Sequence, residues 1–141
     1  MKIRSFVMVV VGLISLSFIT VYDGDETGIK FQDITFEEAL KKAKSDDKLI
    51  FVDAYAVWCK PCKWMETNTF SDKEVGDIFN KKFINLKIDM EKGEGPELAR
   101  KYQVRAYPTL LLINGSGEVV KRILGAKKKD DLLSEVDKYI K

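Results

Sequence analysis

Cys59 and Cys62 are the two cysteines of this 141-residue chain, and they stand three apart in Trp58-Cys59-Lys60-Pro61-Cys62-Lys63. A dithiol at that spacing can carry two electrons. One thiolate attacks a partner disulfide, a mixed disulfide forms, and the second thiol releases the partner. The local sequence suits this chemistry. Leu49 to Val52 is a continuous apolar run, as in a strand covered on both faces, and Pro61 fits the first turn of a helix, where its missing N–H costs nothing. A cysteine at a helix N-terminus meets free N–H donors and the positive end of the helix dipole, both of which favour the thiolate. A thiol of ordinary pKa, about 8.5, is only a few per cent ionised at neutral pH, and lowering it to about 7 ionises half. On this reading Cys59 is the exposed nucleophile and Cys62, one turn inside, is the shielded resolving thiol.

Three other uses of the pair stand beside it. A structural disulfide would close so short a loop that it stabilises little. A metal site would have to recruit carboxylates, because there is no His and no further Cys. Two buried, inert thiols are the third. Asp53 adds weight to redox chemistry. It lies six residues before Cys59, between Val52 and Ala54, where a carboxylate is costly to bury and has a raised pKa. It is a candidate proton acceptor for Cys62; the alternative is a solvated place at a sheet edge. Tyr107-Pro108-Thr109 enters a later strand, and by spacing alone Pro108 reads as an ordinary strand start, since only about 5–6% of X-Pro bonds are cis.

These residues must be held by a fold. Thr35 caps a helix to Asp46, with Glu38 completing a capping box. Lys48 to Tyr55 is a strand, and Cys59 opens the next helix. Ser71-Asp72-Lys73-Glu74 reads as a second capping box, and Phe83 to Ile88 as a strand. Gly95-Pro96 starts a helix bearing Leu98, Ala99 and Tyr102. Thr109 to Ile113 is a third strand, Asn114 to Gly117 a turn, and Glu118 to Leu124 a hairpin strand. A closing helix runs from Lys128 to Ile140. Strands alternating with helices imply parallel pairing, with an antiparallel edge from the hairpin. The expected class is α/β, a mixed sheet with helices on both faces.

Composition excludes several functions. Lys and Arg number 24 against 22 Asp and Glu, a net charge of +2, which leaves no basic stripe for nucleic acid. The Lys127-Lys128-Lys129 run is followed at once by Asp130 and Asp131, as at a solvated helix start. Without His there is no Ser-His or Cys-His dyad. Lys2 and Arg4 precede an uncharged, mostly apolar run from Phe6 to Val21, the layout of a secretory signal. As a helix the run would reach roughly 24 Å, short of the ~30 Å hydrocarbon core, which favours cleavage over anchoring. Ser15 and Ser17 are the best small-residue pair, with Thr20 weaker, and the mature chain is expected to start between Phe18 and Asp25. The division expected is therefore 1–24 for the signal and linker and 25–141 for the domain.

The ordered set Phe51-Val52-Asp53-Ala54-Tyr55-Ala56, Trp58-Cys59-Lys60-Pro61-Cys62-Lys63, Ile88-Asp89, Tyr107-Pro108-Thr109 and Gly125 resembles the thioredoxin superfamily. Cys62-Lys63 with Glu66, Thr69-Phe70-Ser71-Asp72 and Val75 is similar to the C-terminal periplasmic domain of the bacterial transmembrane disulfide-interchange reductant carrier, and to small exported thioredoxin-like proteins. The resemblance implies a thioredoxin fold, a cis Pro108 packed on the cysteine pair, and a groove for an extended substrate strand formed by Trp58, Lys60, Pro61, Tyr107, Pro108 and Gly125. It implies an exported thiol–disulfide oxidoreductase of the cell envelope. Its partners would be protein disulfides and a membrane thiol electron donor, with neither cofactor nor metal. A monomer is expected, since no dimerisation segment is added. Many thioredoxins carry Lys where Asn85 stands, paired with the buried carboxylate; Lys87, two residues on with the same parity, is the substitute here. Strong oxidants of the family usually have His between the cysteines, so Pro61 points to a reductase while the charge of Lys60 pulls the other way. The alternatives are a disulfide oxidase or isomerase and, in another class, a peptide-binding module whose thiols do not turn over.

Overall fold

The computed structural model describes residues 27–141, so the expected leader, Lys2 to Val21 with the linker after it, lies outside the described residues. Nine elements follow: α1 (Phe36–Asp46), β1 (Leu49–Tyr55), α2 (Lys60–Asn68), α3 (Lys73–Lys82), β2 (Phe83–Asp89), α4 (Gly95–Lys101), β3 (Thr109–Ile113), β4 (Val119–Leu124) and α5 (Lys129–Ile140). The strands form one sheet in the order β2-β1-β3-β4. β1 runs parallel to β2, with Asp53 opposite Lys87, and antiparallel to β3, which in turn pairs antiparallel with β4.

The sheet is thus mixed, as expected, but only one of its pairs is parallel. Alternation of strands and helices implied that β3 would also be parallel. It is not, because the connection from β2 to β3 starts and ends at the same end of the sheet. Within it α4 has seven residues, about 10 Å of helix, less than half the length of a strand of about 23 Å. β3 therefore re-enters beside the C-terminal end of β1, which brings Pro108 to the cysteines.

Helices cover both faces. α1 and α4 pack Phe36, Ala39, Ala43 and Leu98 against Ile50, Val52, Ala54, Ile84, Leu86 and Leu111. On the other face α2, α3 and α5 pack Met65, Val75, Phe79, Leu132 and Val136 against Phe51, Leu110 and Leu112. Each of the Val, Leu, Ile, Phe and Met side chains among these contributes roughly 1.5–3 kcal/mol when fully buried. Thr35 caps α1 with the expected capping box. The start of α3 differs. Asp72, one residue later than Ser71, is the cap, its carboxylate accepting from Glu74 N and Val75 N at 2.9 and 3.2 Å. Ser71 instead donates to Thr67 O at 2.6 Å. A carboxylate also meets the positive end of the helix dipole, which a hydroxyl does not exploit. Glu118 lies in the turn rather than in β4, accepting the Asn114 side-chain amide at 2.9 Å.

Ahead of α1 the chain is strapped across α3 and the outer edge of β2. Ile29 N donates to Phe70 O at 2.7 Å, and Gln32 N to Asn85 O at 2.8 Å. Asn80 receives Lys30 N and gives its amide to Gly28 O. Gly28 and Gly76 touch backbone to backbone, so a Cβ on Gly76 would lie 2.3 Å from Gly28 O.

Candidate active site

β1 ends at Tyr55, and four residues later Cys59 becomes the N-cap of α2, with Pro61 in the first turn. Cys59 and Cys62 are joined in a disulfide, their Cα atoms 5.3 Å apart. Cys62 N donates to Cys59 Sγ at 3.2 Å, so the N-terminal amide of the helix points at the sulfur that would become a thiolate on reduction. Lys60 and Pro61 are exposed at the same helix start. One expectation is corrected. Cys59 is 2% exposed and Cys62 4%, so the oxidised pair is shielded at both sulfurs. Tyr55 and Tyr107 pack against Ala56, Cys59 and Cys62, and this aromatic cover is what a helix-only reading of the motif leaves out.

Tyr107 belongs to the segment entering β3. The Tyr107-Pro108 peptide is cis, and Pro108 is buried with its carbonyl accepting from Gly125 N at 3.0 Å. Gly125, at φ 73°, borders open space on the side where a Cβ would point. Trp58 is 65% exposed, its ring edge-on to Tyr107 with centroids 5.7 Å apart. Cys59, Cys62, Trp58, Lys60, Pro61, Tyr107, Pro108 and Gly125 therefore converge on the end of the sheet where β1 stops. The end of α2 is tied down separately, by Thr69 Oγ1 donating to Lys127 O at 2.7 Å.

Asp53 is on an inner strand, 1% exposed, and its Oδ1 has no hydrogen-bond partner. It is not at a solvated edge. Burial pushes its carboxyl up to about 7, Lys87 pulls it down, and Glu66 raises it again. Lys87 does not bond Asp53: its ammonium pairs with Glu66 at 2.8 Å and sits over the Tyr55 ring at 4.8 Å. A cleft of about 290 Å³ is lined by Tyr55, Cys62, Lys63, Glu66 and Lys87, among others. It lies on the Cys62 side of the pair, with Lys63, Glu66 and Lys87 supplying its charged groups. Asn85, opposite Phe51, lies away from Asp53 and donates to Phe79 O and Asn80 Oδ1. Among the described residues no three Cys, Asp or Glu side chains gather as a metal site would need.

Two residues here carried no assigned role in the sequence. Glu66 is one turn beyond Cys62 on α2, and Glu91 is in the loop after β2, where its carboxylate accepts from Trp58 Nε1. The i, i+4 spacing from Cys62 could have drawn attention to Glu66. Nothing local marks Glu91, which meets Trp58 only through the fold.

The profile of the family Thioredox_DsbH, described as a protein of unknown function, DUF255, matches residues 26–118. Thioredoxin from Chlorobaculum thiosulfatiphilum is 30% identical over 111 residues, covering 79% of this chain and 97% of that protein. Thioredoxin-1 of Drosophila melanogaster is 44% identical over 69 residues, 49% of this chain, which spans 60% of that protein's length. Among solved structures, a putative disulphide-isomerase from Bacteroides thetaiotaomicron is 55% identical with TM-score 0.71, covering 79% of this chain and 92% of that one. The C-terminal domain of DsbD from Neisseria meningitidis in the oxidised form shares the fold, with TM-score 0.63, 22% identity, and 79% and 98% coverage.

Proposed function

The chain belongs to the thioredoxin superfamily, and from that premise we propose that it is an exported thiol–disulfide oxidoreductase that reduces protein disulfides through Cys59 and Cys62. The observation that carries this is the Cys59–Cys62 disulfide at the N-terminus of α2, covered by Tyr107 beside the cis Pro108. In the reduced protein, the Cys59 thiolate attacks one sulfur of a substrate disulfide, and the other substrate sulfur leaves as a thiolate. Cys62 then gives its proton to Asp53 and attacks Cys59 Sγ. The second substrate sulfur leaves and takes a proton. The substrate has gained two electrons and the protein holds the Cys59–Cys62 disulfide.

Asp53 suits its part because a carboxyl near pH 7 can both accept and return a proton at neutral pH. Substrate would lie along Trp58, Lys60, Pro61, Tyr107, Pro108 and Gly125. The charged start and apolar run of residues 1–24 support export, with 25–141 as the redox domain. An envelope location requires a source of electrons, for which a membrane thiol carrier is the class that fits, acting on a monomer. Trapping tests the mechanism: a Cys62→Ala variant accumulates mixed disulfides through Cys59, identified by mass spectrometry, whereas Cys59→Ser accumulates none. Full biological activity in Cys59→Ser would mean a peptide-binding module instead.

A second reading, disulfide isomerase, is favoured by the description of the Bacteroides structure. The reduction potential separates the two. A value near about −270 mV supports the reductase, one near about −180 mV supports the isomerase, and one near about −120 mV means a disulfide oxidase; either of the last two sinks the reductase.

A further inference from the structure

Trp58 is the most exposed large apolar side chain among the described residues, at 65%. An indole so placed would sample several rotamers unless something held it. Its Nε1 donates to both carboxylate oxygens of Glu91, at 3.0 and 2.8 Å, and its ring abuts Tyr107. Glu91 is itself on a fixed support. Its N–H donates to Asp89 Oδ1 at 2.9 Å. Met90 before it is buried and donates its N–H to Tyr55 O at 2.9 Å. Gly95 closes the loop so tightly that a Cβ there would sit 1.8 Å from Asp89 O. Glu91 and Asp89 also lie close enough to Tyr107 to raise its phenol, behind burial as the first cause. One carboxylate therefore ties the loop after β2 to the aromatic pair beside the shielded disulfide.

We infer that Glu91 is a positioning residue for substrate: it fixes Trp58 against Tyr107 as the wall that receives an extended protein segment, and so sets the preference for protein over small disulfides. The inference rests on the proposed protein-disulfide reductase. A wall fixed before binding spares the ordering cost that association otherwise carries. A polypeptide lying along the wall gains from this, whereas a small disulfide that reaches only the sulfurs gains little.

The test compares insulin with glutathione disulfide as substrates, with dithiothreitol as the electron source. In Glu91→Ala the ratio of kcat/KM for insulin to that for glutathione disulfide falls about fivefold to tenfold, the scale of one hydrogen bond's net contribution, mostly through KM for insulin. Glu91→Gln, whose amide oxygen still accepts from Nε1, keeps the ratio within about twofold of the parent. In a Trp58→Ala background, Glu91→Ala changes the ratio no further, because it acts through the indole. An unchanged ratio in Glu91→Ala, or the same fall without Trp58, overturns the inference. A second readout needs no turnover. In a Trp64→Phe background, time-resolved fluorescence anisotropy shows faster local motion of Trp58 in Glu91→Ala but not in Glu91→Gln; equal motion in both overturns it. Failure of the parent protein to reduce either substrate would sink the reductase reading, and the anisotropy would still decide whether Glu91 holds Trp58.

Discussion

The two faces of the sheet are built to different rules. On the face under α1 and α4, the β1 and β2 side chains are Ile50, Val52, Ala54, Ile84, Leu86 and Ile88, all apolar. On the face under α2 and α3 the same strands present Phe51, Asp53 and Tyr55, and Phe83, Asn85, Lys87 and Asp89. That second face is apolar only where the strands begin and becomes polar toward the disulfide. A strand turns alternate side chains to opposite faces, so a single strand supplies a uniform core on one side and a graded environment on the other. The first face carries stability. The second gives up some of it to keep an ionisable group, Asp53, buried two residues before the end of β1.

The sharpest way to break this contrast is to damage the apolar face. Leu86→Ala, at a position 1% exposed, should cost about 2–5 kcal/mol by denaturant unfolding. The folded fraction should reduce insulin at the parent rate. A large loss of kcat/KM per folded molecule would show that the faces are not separable.

On the other face the effect should run in the opposite direction. The folded chain keeps the Asp53 proton up to about pH 7, whereas the unfolded chain loses it near about pH 4. In that window the native state holds the extra proton, so its stability falls as pH rises and levels off above about pH 7. Asp53→Asn removes this dependence. The variant should match the parent near pH 3 or below and exceed it by about 2–4 kcal/mol near pH 8, since each pH unit of that window costs the parent about 1.4 kcal/mol. It should also resolve mixed disulfides about a hundredfold more slowly, the low end of what a positioned base supplies, while the Cys59 thiolate still titrates. Equal denaturation midpoints at both pH values would mean that Asp53 is not held neutral.

Glu66→Gln tests the gradient more finely. It removes the charge that raises Asp53 and releases Lys87 from its ion pair, so the pH profile of mixed-disulfide resolution should move to acid by about one unit or less. A displacement toward alkali would contradict the arrangement.

Much of this was readable in advance. Continuous apolar runs located β1 and β3, a capping box located α1 and Pro61 located the start of α2, because those signals are local. Cys59, Cys62 and the oddity of Asp53 inside an apolar strand were legible for the same reason, and strand parity put Lys87 on Asp53's face. The antiparallel entry of β3 was not legible, since it depends on where a short α4 leaves the chain. The shielding of Cys59 and the grip of Glu91 on Trp58 were hidden too. Each joins residues far apart in sequence that meet only once β2 and β3 flank β1.

The strap ahead of α1 has a consequence for how the molecule is presented. Gly28 is pinned to Phe70 O and Ser71, at the junction after α2, whereas the disulfide sits at that helix's start. The nine residues of α2 put about 13 Å between them. A carrier, surface or fusion partner attached upstream of Thr27 would therefore hold the domain by its foot, with the disulfide at the far end of α2 from the attachment.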